Sequence, residues 1–275
     1  MSRKISKNII HMQDCIIGLS RLPDKCAQVI IADPPYNIGK DFGNNSDKQE
    51  LDKYLKWCDQ WITQCLRVLK PDGTFFIYGF SEILAYIRVR LECNVRWLIW
   101  HYTNKNVPSL KFYQRSHESI LCCWSPDVKY PHFNLDKARE PYTEAYKNNM
   151  AGKVRKATVG RFSTGEKETL YSVHENGALP RDVIKVPALA GGAGKIERVD
   201  HPTQKPLELC LRLLKSTLQN KEDIVVIPFA GSGSECVACR KLGVPFVAYE
   251  INQKYVKVCN ERLKALKVSQ TKHPF

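Results

Sequence analysis

Asp223-Ile224-Val225-Val226-Ile227-Pro228-Phe229-Ala230-Gly231-Ser232-Gly233-Ser234 is a short apolar run that breaks into a glycine-rich turn. The run through Ile227 reads as a buried strand. Glu235 to Leu242 reads as a helix opened by the turn, and Gly243-Val244-Pro245 ends it. Phe246-Val247-Ala248-Tyr249-Glu250 is the next strand, and it closes on an acid. Strand, turn, helix and strand in that order are the repeating unit of an α/β sheet.

The chemistry of this unit is specific. Glycines let the backbone approach a ligand closely. The free N–H groups at the helix start favour a carboxylate or phosphate. An acid at the end of the second strand can accept two ribose hydroxyls. A nucleoside-bearing cofactor follows, the bland alternative being a tight turn with no ligand. The dinucleotide fingerprint places a third glycine where this chain has Cys236, which weakens an NAD reading. S-adenosylmethionine fits instead, with its amino-acid end on the turn and its ribose on Glu250.

A second strand end carries the other half of the pattern. Gln28-Val29-Ile30-Ile31-Ala32 is a buried strand, and Asp33-Pro34-Pro35-Tyr36 follows it directly. The acid therefore stands at a carboxyl end, where open α/β sheets hold ligands. The prolines fix φ and remove donors, leaving their carbonyls to accept. An acid, free carbonyls and a ring suit a planar base with an exocyclic amine: Asp33 and the Pro34 carbonyl each take one N–H, and Tyr36 stacks. The bland reading of the tetrapeptide is a proline turn with an N-capping acid.

Residues 8–15 read as a short strand ending in an acid, and 16–22 as a short helix. After Tyr36, 37–46 is a polar loop, either an ordinary surface loop or a lid or nucleic-acid clamp beside the site. Residues 48–69 have apolar positions at helical spacing, Lys70-Pro71-Asp72-Gly73 is a turn, and 74–79 is a buried strand. A helix from Ser81 and strands at 95–101 and 119–124 follow, the last as a candidate antiparallel edge. From 125 to 200 periodicity fades, and Lys147, Lys153, Arg155, Lys156 and Arg161 crowd together. His201-Pro202-Thr203-Gln204-Lys205-Pro206 restarts order, Pro206 suiting the first turn of a helix to about Leu218. The expected organisation is a catalytic half at 1–124, an insertion at 125–200 and a cofactor half at 201–275.

Lys and Arg number 42 against 28 Asp and Glu, a formal charge of +14 over 275 residues, which points to a polyanion, nucleic acid first. No apolar run approaches the ~18 residues that span a bilayer, and no secretory signal is read at the start. Eleven cysteines, an odd number scattered through strands and helices, fit reduced thiols in a cytoplasmic setting. Cys236 and Cys239 have no second pair at zinc-site spacing, so they read as buried apolar side chains and no metal site is expected.

Together, Asp33-Pro34-Pro35-Tyr36, Phe229-Ala230-Gly231-Ser232-Gly233, the 201–206 segment and Arg67-Val68-Leu69-Lys70-Pro71-Asp72-Gly73 resemble the amino-methyltransferases of DNA. The order, catalytic motif first and cofactor motif last, resembles their circularly permuted β class. The resemblance implies a Rossmann-like sheet with a target-recognition insertion. It implies transfer of a methyl group from S-adenosylmethionine to the N6 amine of a flipped adenine in double-stranded DNA. Cytosine N4 and a catalytically silent DNA-binding homologue are the alternatives. Asp33, Pro34, Pro35 and Tyr36 are the implied catalytic set. Asp14, Asp33, Lys205, Phe229, Ala230, Gly231, Ser232, Gly233 and Glu250 are the implied cofactor set. In it, Asp14 meets the adenine and Lys205 the carboxylate. A homodimer and a cognate restriction endonuclease are left open as partners. One departure stands out: the family places Asp before Pro-Phe, and this chain has Ile227. A partner for the cofactor's ammonium group is lost there.

Overall fold

A computed structural model describes residues 5–40, 42, 47–104, 110–161 and 163–266. Packing divides the chain into a large unit, 1–133 with 182–275, and a small one, Asn134–Arg181. The large unit opens with β1 (Ile9–Met12), α1 (Cys15–Ser20), β2 (Ala27–Ala32) and α2 (Leu51–Val68). It continues with β3 (Leu69–Gly79), α3 (Ser81–Arg88), β4 (Asn94–His101) and β5 (His117–Trp124). The small unit holds α4 (Leu135–Ala138), α5 (Glu144–Asn149), β6 (Val154–Lys156) and β7 (Glu168–Leu170). The chain returns through β8 (Val183–Lys185), α6 (Gly191–Gly194), α7 (Leu207–Thr217) and β9 (Val225–Ile227). It ends in α8 (Ser234–Leu242), β10 (Phe246–Glu250) and α9 (Gln253–Ala265).

The main sheet runs β1-β10-β9-β2-β3-β5-β4-β8. Every neighbouring pair is parallel except the two made by β5. Alternate residues of the central strands feed two separate cores. Val29, Ile31, Val225, Ile227, Phe246 and Ala248 pack with α7, α8 and Cys259 of α9. Ile30, Ala32, Val226, Val247 and Tyr249 pack with α1, α2 and α3. This period of two, buried on both faces, is why the strands read as unbroken apolar runs. The outcome is the three-layer α/β fold expected from the sequence.

β2 and β9 are neighbours at the centre, and the chain leaves them in opposite directions, to β3 on one side and β10 on the other. Such a reversal opens a crevice at the carboxyl ends of the strands. Asp33 follows β2 there, and the glycine turn follows β9.

Two expectations need correction. Residues 70–73 do not separate helix from strand as a free turn, since β3 already begins at Leu69. The turn residues form a bulge: between the pairs Ala27↔Leu69 and Val29↔Thr74, β3 takes in extra residues. β5 is antiparallel as expected but lies inside the sheet, between β3 and β4. The edge belongs to β8, three residues from the aperiodic 125–200 stretch. A strand that short, with an exposed–intermediate–exposed pattern, has no periodicity for sequence reading to detect.

In the small unit β6 and β7 form an antiparallel ribbon, and Tyr142 stacks on Tyr146 with ring centroids 4.8 Å apart. Lys153, Arg155, Lys156 and Arg161 are all exposed.

Candidate active site

The Asp33 carboxylate sits just beyond β2 and meets an ammonium from the start of α7. Lys205 Nζ donates to both oxygens, at 2.7 and 2.8 Å. It also lies 3.5 Å from Glu118 of β5. The Lys205 side chain is 3% exposed and that of Asp33 17%. Burial alone would lower the Lys205 ammonium, but Asp33 and Glu118 override it and hold its pKa above the ordinary value. The Tyr36 hydroxyl lies 2.9 Å from Asp33 Oδ1 and 3.0 Å from Glu118 Oε2, so it donates to one carboxylate at a time. Burial and those two carboxylates raise the phenol's pKa well above its ordinary value, and it stays protonated. Lys205 Nζ also faces the rings of Tyr36 and Tyr78, at 5.3 and 5.2 Å.

The two prolines differ. Tyr54 of α2 donates its hydroxyl to the Pro35 carbonyl at 2.6 Å. The Pro34 carbonyl has no such partner among the described residues, so it is the one left to accept. The polar loop beyond Tyr36 is fastened by Asp47, 2% exposed, which accepts from the N–H groups of Asn37, Ile38 and Lys40. The lid expectation falls partly on residues 41 and 43–46, outside the described residues.

Asp33, Pro34, Pro35 and Tyr36 open on a cavity of about 260 Å³ shared with Asp14, Lys205, Phe229, Ala230, Gly231, Ser232 and Glu250. Glu250 ends β10 and ties the glycine turn to it: Oε2 accepts from Gly231 N–H and Oε1 from Asn252 N–H, both at 2.8 Å. Burial raises the Glu250 pKa, and these backbone donors oppose the rise. Gly231 has φ 49°, and a Cβ there would come 3.0 Å from His201 Nε2. Gly233 lies outside the lining; its φ is 78°, and a Cβ would meet Cys259 Sγ at 2.7 Å, so it shapes the turn. Asp14 lines the cavity and also caps α1, its Oδ1 accepting from Ile16 and Ile17 N–H. Lys205, assigned from sequence to a cofactor carboxylate, has its ammonium on Asp33 and Glu118.

Several lining groups were not singled out from sequence. Trp57, Tyr255, His201 and Phe42 give the cavity its flat apolar walls. Trp57 packs on Phe229 with centroids 5.6 Å apart, and His201 on Tyr255 at 4.5 Å. Burial lowers the His201 pKa to about 4, so the ring is neutral at pH 7. Glu118 reaches the site because β5 is reversed: its first residues lie beside the last residues of β3, as the pair Gly79↔Ser119 shows. The available signal was an acid at the head of an apolar run. Glu235, 4% exposed in the first turn of α8, also lines the cavity. The cysteines bear out the reading of buried apolar side chains at 236 and 239. No cluster of metal-ligating side chains occurs among the described residues.

The cavity suits S-adenosylmethionine by its donor set: flat walls for a purine, a half-buried acid at a strand end for a ribose, and a glycine turn beside buried charge for an amino acid. Fold and site thus define an α/β enzyme that binds a nucleoside cofactor beside an Asp-Pro-Pro-Tyr pocket. The chain belongs to the DNA methylase family N6_N4_Mtase, whose model matches residues 27–261. It is 32% identical to the type II methyltransferase M.HpaI of Haemophilus parainfluenzae, over 91% of this chain and 72% of that one. It is 30% identical to the DNA adenine methyltransferase YhdJ of Escherichia coli K12, over 94% and 83%. Among solved structures it resembles PvuII DNA methyltransferase, cytosine-N4-specific, with a TM-score of 0.66 and 14% identity over 97% of this chain and 89% of that one. It also resembles M1.HpyAVI in complex with SAM, with a TM-score of 0.58 and 22% identity over 92% and 98%.

Proposed function

We propose that this protein transfers a methyl group from S-adenosylmethionine to the N6 amine of an adenine flipped out of double-stranded DNA. The observation that carries the reading is that Asp33 and Pro34, whose carbonyl has no partner among the described residues, line the same cavity as the glycine turn and Glu250. When bound, the cofactor supplies a sulfonium methyl as electrophile. Asp33 and the Pro34 carbonyl accept the two N–H bonds of the amine and draw its lone pair out of conjugation. Tyr36 and Lys205 hold the carboxylate in place, so the gain comes from positioning and fixed charge. Flipping the base costs a few kcal/mol, which phosphate contacts by the basic surface offset.

Adenine is favoured by the adenine methyltransferase YhdJ, 30% identical over 94% of this chain, and by Asp at the head of the tetrapeptide. The motif order supports the permuted β class, with the small unit Asn134–Arg181 as target-recognition element. The type II relatives support a restriction–modification setting with a cognate endonuclease. No described helix is long and apolar enough to cross a membrane.

The test is transfer of labelled methyl groups to mixed-sequence duplex DNA, with products digested to nucleosides. Label in N6-methyladenine is expected, with at least a 100-fold fall in kcat for Asp33→Ala, the scale of losing one charge-stabilising group. Label only in N4-methylcytosine would replace adenine as the target. No label with DNA binding intact would leave a silent DNA-binding protein.

A further inference from the structure

Position 227, where the resemblance implies an acid, is Ile in this chain, and that raises a question of charge. The glycine turn receives the cofactor's amino-acid end, whose ammonium needs an anionic partner in a buried site. Ile227 cannot serve: it is fully buried, packs into the core with α7 and α8, and does not line the cavity. Asp33 also lines the cavity, but its carboxylate is neutralised by Lys205 and is the acceptor assigned above to the target amine.

We propose that Glu235, eight residues further along the chain, is the carboxylate that receives the cofactor's ammonium group in place of the acid that the resemblance implies at 227. It rests on the cofactor reading above. Glu235 enters the cavity from the first turn of α8, immediately after the glycine turn. It is 4% exposed, which for a carboxylate ordinarily demands a strong partner. Its contacts are weak: the Cys210 thiol lies 3.5 Å from Oε1, and its own backbone N–H adds a local bond. Lys205, the buried cation nearby, pairs with Asp33 and Glu118. Glu235 is thus a buried acid on the cavity wall with acceptor capacity to spare. Burial, then the negative charge of Asp33, pushes its pKa up to about 7. That is the state of a carboxylate awaiting a cation. The side chain meets Cys210, which packs in the same core as Ile227.

Calorimetry with two ligands tests this. S-adenosylmethionine carries the ammonium; 5′-methylthioadenosine keeps the nucleoside and thioether but has no amino acid. Glu235→Gln, which preserves shape, should weaken S-adenosylmethionine at least tenfold and leave 5′-methylthioadenosine unchanged. Equal binding of S-adenosylmethionine by wild type and variant would overturn the proposal, as would equal losses for both ligands. Should the variant not fold, wild-type protein decides with S-adenosylhomocysteine and its desamino analogue: equal affinities would overturn it. Wild-type protein that binds none of these compounds would sink the cofactor reading itself, and the proposal with it.

Discussion

Glu235 and Lys205 are both buried and ionisable, yet their surroundings push them in different ways. Two carboxylates answer the Lys205 ammonium, so its charge is retained. Nothing comparable answers Glu235, and burial raises it from 4.5 to about 7. A carboxyl raised in the folded state contributes stability that is fully present below its unfolded pKa and is lost as pH rises through the folded one. Cofactor-free wild type should therefore weaken between about pH 5 and pH 8 on this account, with Asp33, Lys205 and Cys210 as the groups facing Glu235. Glu235→Gln cannot titrate. Its melting temperature, measured without cofactor, should gain on wild type across that window and show no gain at pH 5. A constant difference at every pH would remove the titration of Glu235 as the cause. A buried acid that costs stability without its ligand is what a binding site retains and a plain core discards.

At the scale of elements, the glycine turn joins β9 to α8 through two left-handed residues, Gly231 and Gly233, with φ of 49° and 78°. Gly233 serves as the cap of α8 in that conformation while Cys259 of α9 presses on it from behind. An alanine there meets both the φ penalty and the sulfur contact. Gly233→Ala should destabilise the protein by about 1–3 kcal/mol and displace the Gly231 N–H from Glu250. Chemical denaturation and cofactor titration check this together; unchanged values in both would mean that the turn relaxes freely. The reversed strand β5 matters on the same scale. It alone in the main sheet runs against its neighbours, and that reversal carries Glu118 to the ligand edge.

Across the whole molecule the surplus of 42 basic over 28 acidic residues gives a field suited to a polyanion. Exposed Lys153, Arg155 and Lys156 of the small unit are expected to meet phosphates. The logarithm of DNA affinity should fall linearly with the logarithm of salt, by about 0.9 per phosphate contact. Replacing these three residues by alanine should flatten the slope by up to about 3 on that count and leave S-adenosylmethionine affinity unchanged. A slope that does not move would take these residues out of the interface. The sequence determined most of the sheet, the two helical layers, and both loops of the crevice. Those features are local: apolar runs, helical spacing, two prolines beside an acid, glycines before a helix. Tertiary structure alone decided the interior place of β5, the edge strand β8, and the partners of each charge. Strand orientation, register and burial are set by contacts between segments far apart in the chain. That is why the pairing of Lys205 with Asp33, and the places of Glu118 and Glu235, become legible only when the sheet has closed around them.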